Sequence, residues 1–333
     1  MTSTQGKKWR LVRARLGRHP IWCAWQVTYR CNYRCRFCPY WHDEMGKQPE
    51  QTVEQFEYGA RKLGSWGTML ISLAGGEPFL RDDIVDVVEV VGKWHIPLIT
   101  TNGSRADKHL ARELYRAGLW GLSVSIDYAQ AELHDQARGV QGAFERAVQS
   151  LEIFSQARQY PWQRVNIMCV LMDDNLDQVE PLIQLAAKYD ANFMIQPYCQ
   201  EKTGSTKYLQ DGNNGVSGHL LSLRSKYPNF LSNPIFLQNF DVYLNGGVPN
   251  CGAGKAFFNI DSTGDIAICV ERRERPSANL YRDDHVTIGR KLREDSRGNS
   301  CRDCWYNCRG EVESLYTLKG LWANLPILLG NQS

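Results

Sequence analysis

Between residues 21 and 198, short apolar runs of β character alternate with segments whose apolar residues follow helical spacing. The six candidate strands are Ile21–Thr28, Thr68–Leu73, Ile96–Thr101, Gly121–Ile126, Val165–Leu171 and Asn192–Pro197. The candidate helices between them are Thr52–Leu63, Asp83–Trp94, Asp107–Ala117, Ala143–Ala157 and Asp177–Tyr189. This alternation predicts βαβ units and a parallel sheet. We therefore expect an α/β fold, a partial (β/α)6 TIM-type barrel, with its chemistry at the C-terminal ends of the strands.

The pattern changes after residue 198. Residues 199–216 are polar and glycine-rich, residues 217–240 have helical character interrupted by prolines, and residues 251–310 are rich in cysteine. Within this last segment, Phe257–Ile260 and Asp265–Cys269 flank turn residues, which predicts a hairpin. We divide the chain into a basic N-terminal arm (1–20), the barrel (21–200), a loop and helical linker (201–248), a small cysteine-rich domain (249–310) and a C-terminal helix (311–333).

The charge of the chain is unevenly distributed. The formal net charge is only +3, so composition alone predicts no nucleic-acid partner. No apolar stretch approaches the ~20 residues of a membrane-spanning helix. No apolar core follows the early basic residues as it does in a signal peptide. We therefore expect a cytoplasmic protein with a basic N-terminal face.

The chain contains 11 cysteines, and without an export signal such clustered cysteines favour metal binding over disulfides. Cys31, Cys35 and Cys38 form a C-x3-C-x2-C motif directly after the first strand. Three thiolates can bind three irons of a four-iron cluster and leave the fourth without a protein ligand. An open position of this kind is typical of a catalytic metal site. A zinc site completed by His42 is the alternative.

This motif resembles the signature of the radical S-adenosylmethionine (SAM) enzymes, with Phe37 at their aromatic position before the third cysteine. The resemblance implies a [4Fe–4S] cluster whose open iron binds the amino and carboxylate groups of SAM. It also implies that the reduced cluster cleaves SAM to a 5′-deoxyadenosyl radical, which abstracts hydrogen from a substrate carbon. Such an enzyme needs an electron donor, for example a flavodoxin or a ferredoxin.

Further positions at successive strand ends resemble the same family. They are Gly75, Gly76, Glu77 and Pro78 after the second strand, Asn102 after the third, Ser125 and Asp127 after the fourth, and Arg138. The resemblance implies that Gly-Gly-Glu-Pro contacts the SAM amino group, that Ser125 and Asp127 contact the ribose, and that Arg138 pairs with the carboxylate. The alternatives are a purely structural turn, a helix cap and a surface salt bridge, respectively.

A second set of cysteines follows the barrel: Cys251, Cys269, Cys301, Cys304 and Cys308. Their spacing resembles the SPASM/twitch extension of many radical SAM enzymes. The second half of the pattern is shorter than in full SPASM domains, which favours the twitch form with one auxiliary [4Fe–4S] cluster. We expect Cys251, Cys269, Cys301 and Cys304 as its ligands, with Cys308 spare or replacing one of them. A zinc site held by four thiolates is the alternative.

The substrate is less constrained by the sequence. By strand alternation, Asn166, Met168, Gln196 and Tyr198 are expected to face the substrate, although each side chain would equally serve to fill the barrel. We expect first a small molecule that undergoes oxidation or bond formation. The alternatives are a peptide or protein, which would make the enzyme a maturase, and a lipid or isoprenoid. A non-enzymatic iron–sulfur or zinc protein is the alternative of another class.

The basic arm has a helical pattern of its own. Trp9, Val12 and Leu16 would form an apolar stripe with basic flanks. Three interpretations follow. The stripe packs on the bottom of the barrel, the arm docks an acidic electron donor, or it makes peripheral contact with an anionic membrane. The apolar segment Leu321–Leu329 adds to the case for a lipid substrate.

Overall fold

A computed structural model describes residues 4–212 and 215–317. The strands are β1 Trp22–Thr28, β2 Leu70–Gly75, β3 Ile96–Thr101, β4 Gly121–Ser125, β5 Arg164–Leu171, β6 Asn192–Pro197, β7 Phe257–Ile260, β8 Asp265–Ala267 and β9 Ala278–Asn279. The helices are α1 Thr4–Leu16, α2 Val53–Leu63, α3 Ile84–Gly92, α4 Lys108–Arg116, α5 Ala131–Arg138, α6 Ala143–Ala157, α7 Val179–Lys188, α8 Val216–Lys226, α9 Pro234–Gln238, α10 Phe240–Leu244, α11 His285–Arg297 and α12 Asn307–Ser314.

One nine-stranded sheet runs through the molecule in the order β6-β5-β4-β3-β2-β1-β7-β8-β9. Strands β1 to β6 are parallel, as the alternation predicts, and they form an open partial barrel. Strand β7 joins in parallel beside β1, and β8 and β9 follow in antiparallel orientation. The predicted hairpin of the cysteine-rich segment therefore extends the barrel sheet instead of forming a sheet of its own.

The two faces of the strands have different environments. In β4, Leu122 and Val124 are fully buried under the outer helices, whereas Ser123 and Ser125 face the barrel interior. The outer faces of the other strands likewise contribute to the main core. Helix α2 packs on this layer and begins with the predicted cap, because Thr52 and Gln55 form a capping box. Alternation thus separates an apolar outer layer from a more polar interior.

The open side of the barrel is covered by the C-terminal part of the chain. Helix α12 packs against β1, β7 and α9. A glycine is required at position 310, because a Cβ there would lie 1.9 Å from the ring of Phe236. The Trp305 indole N–H also donates to the carbonyl of Phe236, at 2.9 Å. These contacts hold the helix that follows the last cysteines across the gap in the barrel wall.

The N-terminal arm is helical, but its orientation differs from the expectation. Trp9 and Leu16 are 71% and 74% exposed, and Val12 is also exposed, so the predicted apolar stripe does not pack on the barrel. The opposite face packs instead, with Ala14 fully buried and Arg10 donating to the Gly64 carbonyl. The prediction that the apolar stripe packs on the barrel was wrong. The basic side chains of α1 donate hydrogen bonds to carbonyl groups at the C-terminal ends of barrel helices, and apolar side chains have no donor for these carbonyls.

Helices α5 and α11 were not predicted. The α5 segment was assigned only by its motif residue Arg138, and the α11 segment only by the spacing of the cysteines on either side of it. The predicted C-terminal helix (311–333) overlaps α12 only at residues 311–314, because α12 ends at Ser314 and residues 315–317 form a turn. Residues 318–333, including the apolar segment Leu321–Leu329, lie outside the described residues. Among the residues that are described, none of the helices combines the length and apolar character needed to cross a bilayer.

Candidate active site

A cavity of about 2190 Å³ lies in the barrel interior. At the C-terminal edge of the strands it is lined by Cys31, Cys35, Phe37 and Cys38. The inner faces of all six parallel strands form its wall, and α1 borders its opposite end. Small-molecule sites in proteins typically enclose ~300–1,000 Å³. The cavity therefore has room for a cofactor together with a substantial part of a second molecule.

The cysteine loop is fixed by a helix that the sequence analysis missed. The backbone N–H groups of Arg34 and Arg36 donate to the carbonyls of Arg138 and Ala137, at 3.2 and 3.0 Å. Both carbonyls belong to the last turn of α5, which has no intrahelical partners for them. Gly139 follows with a φ of 66°, which ends the helix in the left-handed conformation. The C-terminus of α5 thus sets the path of the C-x3-C-x2-C loop.

Arg138 lies between this loop and the end of β4. Its guanidinium pairs with Asp127 at 2.6 Å, donates to the Cys35 sulfur at 3.9 Å, and lies over the Phe37 ring. The alternative of a surface salt bridge for Arg138 is therefore wrong, because both partners are buried, and its pairing with the SAM carboxylate stays a prediction. Asp127 is fully buried outside the cavity lining, since β4 ends at Ser125 and strand alternation no longer applies beyond it. Only Ser125 of the predicted pair faces the cavity.

The glycines after β2 are required by the neighbouring backbone. A Cβ on Gly75, whose φ is 130°, would lie 1.9 Å from the carbonyl oxygen of Thr28. A Cβ on Gly76 would lie 2.0 Å from that of Arg30. The N–H of Gly76 donates to Thr28, and that of Glu77 donates to Arg30. The motif therefore pairs with the entry to the cysteine loop, while Gly75 and Gly76 also line the cavity.

Glu77 is fully buried and turns towards the end of β3. One carboxylate oxygen accepts from the Thr101 hydroxyl at 2.7 Å and from the Phe79 N–H, and the other accepts from the Asn102 N–H at 2.7 Å. Asn102 in turn donates to the Asn32 side chain in the cysteine loop. Burial raises the pKa of Glu77, against these hydrogen bonds, which lower it. The carboxylate positions the strand-end loops, and its expected direct contact with SAM stays a prediction.

The donor chemistry of the loop suits an iron–sulfur cluster. Burial raises the pKa of Cys31 to about 11 and that of Cys35 to about 12, so these thiols lose their protons only to a strong competitor such as iron. Each ligand of a four-iron cluster binds a different iron. Within residues 4–212 and 215–317, no three His, Cys, Asp or Glu side chains converge as around a single metal ion. His42 is exposed and packs edge-on against Trp41.

The C-terminal cysteines border a second, small cavity of about 20 Å³. Its wall includes Cys251, Cys269, Cys301 and Cys304, the four ligands expected from the sequence. Cys308 lines the barrel cavity, and it packs in the same cluster as Cys251 and Cys269. Burial raises the pKa of Cys269 to about 12, as expected for a thiol that awaits a metal. The auxiliary ligand set stays a prediction, and the structure brings its members together.

A polar network joins the two cysteine regions. The Lys202 ammonium lies 3.1 Å from the Tyr40 hydroxyl and 3.4 Å from the Glu271 carboxylate. Glu271 also accepts from the Tyr306 hydroxyl at 2.9 Å. Tyr40 follows the first cysteine motif, Glu271 follows Cys269, and Lys202 belongs to the linker. The linker thus ties the cysteine loop to the C-terminal domain at the mouth of the barrel.

Three of the predicted substrate-facing residues, Asn166, Met168 and Gln196, line the cavity. Tyr198 also borders it, but its hydroxyl bonds to Thr203 and to the Ser205 carbonyl and is thereby tied to the linker. Residues of α12 and its C-terminal end also form part of the wall and were not predicted from the sequence. They are Asn307, Glu311 and Val312 of the helix and Leu315 directly after it. The only feature of the sequence that could have predicted these residues is their helical spacing, which begins at Asn307.

Comparison with known proteins identifies the family. The family model of the radical SAM superfamily matches residues 25–186, the part of the chain that contains the cysteine loop and most of the barrel.

The chain belongs to the radical SAM superfamily.

It is an enzyme of that family, whose members use SAM and a [4Fe–4S] cluster. The curated relatives carry the names of different enzymes. Mycofactocin maturase MftC of Mycolicibacterium smegmatis is 27% identical over 321 residues, which cover 91% of this chain and 80% of the relative. The AdoMet-dependent heme synthase of Methanosarcina barkeri is 31% identical over 173 residues, covering 52% of this chain and 48% of that protein.

Solved structures share the fold of this radical SAM enzyme. Native anSMEcpe with bound AdoMet matches with a TM-score of 0.65 at 16% identity, covering 94% of this chain and 100% of that one. SuiB of Streptococcus suis, bound to its precursor peptide SuiA, matches with a TM-score of 0.62 at 20% identity. That match covers 81% of this chain and 64% of SuiB. These similarities support the open partial barrel that the sheet order shows.

Proposed function

We propose that this radical SAM enzyme modifies a peptide, and that Cys31, Cys35 and Cys38 hold its SAM-binding [4Fe–4S] cluster. When bound and reduced, the cluster together with SAM supplies a 5′-deoxyadenosyl radical that removes hydrogen from a substrate carbon. The observation that carries the proposal is the barrel cavity, which is lined both by the cysteine loop and by six strands. Its volume exceeds what a compact cofactor needs. The name of the MftC relative and the peptide complex of SuiB favour a peptide.

The chain's own residues divide the work within this cavity. Gly75 and Gly76 present backbone at its edge, Ser125 offers a hydroxyl, and Phe37 closes the apolar side of the loop. Arg138 neutralises Asp127 and places a donor beside Cys35, which favours the thiolate. These residues bind and orient SAM in the proposal. The four cysteines around the smaller cavity hold one auxiliary [4Fe–4S] cluster, in a twitch-type domain, that accepts or passes an electron.

A small polar molecule is the second candidate substrate, and the sequence analysis placed it first. The inner wall favours it in one respect, because Ser72, Ser123, Asn166 and Gln196 offer uncharged hydrogen-bonding groups to any polar ligand. A lipid is the third candidate, because most of the cavity wall is apolar and includes Leu98, Trp120 and Met194. A peptide satisfies both the polarity and the size of the cavity.

The proposal is tested with anaerobically reconstituted protein reduced by dithionite. We expect formation of 5′-deoxyadenosine from SAM in the wild type and none in Cys35→Ala. Incubation with a synthetic peptide library should increase the yield, and mass spectrometry should find peptides changed by loss of hydrogen or of a small group. SAM cleavage stimulated by polyols but never by peptides would favour the small-molecule candidate. Absence of SAM cleavage under every condition would contradict the enzyme assignment of the site.

We further infer that an acidic electron donor, such as a flavodoxin or a ferredoxin, docks near the exposed Arg34 of the cysteine loop. Arg34→Gln should slow SAM cleavage driven by flavodoxin but not cleavage driven by dithionite. The exposed Trp9 and Leu16 of α1 support the alternative use of the arm as a peripheral membrane contact. Cosedimentation with anionic vesicles, lost in a Trp9→Ser, Leu16→Ser double variant, is the expected sign of that contact.

A further inference from the structure

Helix α12 contributes one continuous face to the barrel cavity. Asn307, Glu311, Val312 and Leu315 all line it, together with Cys308. Their spacing of three, four and seven or eight residues places them on one side of a helix. The wall opposite the strands therefore comes from the helix that follows the auxiliary cysteines. A substrate bound in the barrel meets this helix.

The first polar residue on this face is Asn307. Its amide nitrogen lies 3.4 Å from the Met168 sulfur of β5, so α12 reaches across to the strand wall. Its side-chain oxygen is buried and has no hydrogen-bond partner within the described residues. A buried carbonyl oxygen without a donor is costly, typically ~1–3 kcal/mol. The oxygen therefore offers a place for an N–H or O–H donor.

The second polar residue is Glu311, one helical turn further along. Its two carboxylate oxygens accept from the backbone N–H of Asn233, at 3.0 and 3.2 Å, which fixes the side chain at the cavity wall. Across residues 4–212 and 215–317, no lysine, arginine or histidine forms an ion pair with it within 4.0 Å. A carboxylate has about four acceptor positions, so these contacts leave capacity for a ligand.

Three of the cations that line the cavity are paired with carboxylates other than Glu311. Arg138 pairs with Asp127, Lys202 with Glu271, and Arg158 with Asp190. When it is ionised, Glu311 presents a negative charge that has no ion-pair partner within 4.0 Å in the described part of the chain. Across the cavity, Asn166 and Gln196 are neutral. A carboxylate or phosphate at this position would be repelled, whereas an amine would be attracted.

We propose that Asn307 and Glu311 form the specificity-determining part of the substrate site and that they bind an amine-bearing segment of the substrate. This inference deepens the proposed function, since it assumes that the substrate occupies the barrel cavity. Asn307 accepts an N–H, and Glu311 pairs with the ammonium group. For a peptide substrate, the bound segment contains a lysine side chain or an amino terminus beside the reacting carbon.

The protonation behaviour of Glu311 agrees with this arrangement. Burial raises the pKa of its carboxyl group to about 7, while the Asn233 N–H, the Ser232 hydroxyl and the more distant Arg224 lower it. A free site is therefore partly protonated near neutral pH. An ammonium group that binds beside Glu311 stabilises the ionised carboxylate over the protonated carboxyl group and neutralises its charge.

The test uses reconstituted protein and three synthetic hexapeptides that differ only in a central Lys, Gln or Glu. We expect the Lys peptide to bind most tightly and the Glu peptide least. Glu311→Gln should weaken binding of the Lys peptide about tenfold, which is ~1.4 kcal/mol, and leave the Gln peptide unchanged. Glu313→Gln is the matched control, because Glu313 lies on the same helix but bonds to the Gly252 N–H and does not line the cavity. It should retain the preference for Lys.

Two further measurements separate the inference from the proposed function. Glu311→Gln should reach the wild-type iron content after anaerobic reconstitution, which shows that the cluster-binding cysteines still assemble. The same affinity comparison with phenethylamine and 3-phenylpropionate tests the charge preference without a peptide. If the amine is preferred in a manner that depends on Glu311 and none of the three peptides binds, the inference is supported and the peptide proposal is contradicted. Equal affinity for amine and carboxylate, or a preference unchanged in Glu311→Gln, would overturn the inference.

Discussion

Arg15 donates a hydrogen bond from Nε to the carbonyl oxygen of Leu315, 3.1 Å away, and so joins the first helix to the end of α12. The Arg15 guanidinium also lies over the Tyr316 ring, and the Tyr316 hydroxyl donates to the carbonyl of His19. Helix α12 carries the C-terminal wall of the cavity, so the basic arm braces the part of the site that the barrel strands do not supply.

The arm makes the same kind of contact with two other helices. Lys7 donates to the carbonyl of Gly92 at the end of α3, and Arg10 donates to that of Gly64 just after α2. Cations at helix C-termini typically stabilise by ~0.3–1 kcal/mol, and a hydrogen bond to a charged group by ~1.5–3 kcal/mol. The charge excess of the N-terminus therefore has a structural role.

We predict that Arg10→Met and Arg15→Met each lower the free energy of unfolding by about 1 kcal/mol. The reason is loss of a charged donor to a helix-end carbonyl. Arg13→Met is the control, since Arg13 is exposed on the same helix, and it should change the value by less than ~0.5 kcal/mol. Urea unfolding measures all three variants. Equal effects of the three substitutions would show that the carbonyl contacts are not what stabilises the arm.

Glu77→Gln should destabilise the fold by about 2 kcal/mol and weaken SAM binding without changing iron content. The glutamine side chain would place its NH₂ group against one of the three groups that now donate hydrogen bonds to the Glu77 carboxylate. The loop that carries Asn102 would then shift relative to the cysteine loop. Urea unfolding and equilibrium dialysis of SAM provide the two readouts. Glu57→Gln, at an exposed ion pair with Lys93, serves as control and should leave both unchanged.

The iron content distinguishes the roles of the C-terminal cysteines. We expect about eight irons per chain after anaerobic reconstitution, from two four-iron clusters. Cys304→Ala should reduce the content to about four, and the Cys31, Cys35, Cys38 triple alanine variant should do the same. Cys308→Ala should retain about eight, because Cys308 lines the barrel cavity instead of the smaller one. A content near four in Cys308→Ala would place Cys308 among the ligands.

His95 makes the stability of the barrel depend on pH. It is fully buried, its Nδ1 accepts from the Met69 N–H, and its Nε2 therefore donates to the Ala60 carbonyl. Burial lowers its pKa to about 4, below the ordinary 6.5. The unfolded chain therefore binds a proton before the folded chain does. The stabilisation is complete above pH 6.5 and is lost as the pH falls towards 4, by roughly 3 kcal/mol.

His95→Gln should abolish this contribution to the slope of unfolding free energy against pH between 6.5 and 4. Its stability at neutral pH should also fall, because one of the two backbone contacts is weakened. His109→Gln, at an exposed position, is the matched control and should keep the wild-type slope. Urea unfolding at a series of pH values provides the measurement. An unchanged slope in His95→Gln would mean that carboxyl groups alone produce the acid sensitivity.

The sequence by itself determined the parallel α/β barrel, the two groups of cysteines and the positions that line the strands. Strand alternation placed Asn166 and Gln196 on the inner face, and the resemblance to the SPASM/twitch pattern selected the four cysteines that border the smaller cavity. The hairpin that begins with Phe257–Ile260 and the helix cap at Thr52 were also predictable, because each depends only on residues that are neighbours in the sequence.

Only the tertiary structure decided which partners the polar groups find. Glu77 turns to Asn102, Arg138 pairs with Asp127, and the arm presents Arg15 instead of Leu16 to the body of the protein. Each of these contacts joins residues far apart in the chain, and burial of a charged group forces it to take whichever donor or acceptor the fold brings near. The placement of Glu311 in the cavity wall likewise depends on how α12 crosses the open barrel, which no local pattern encodes.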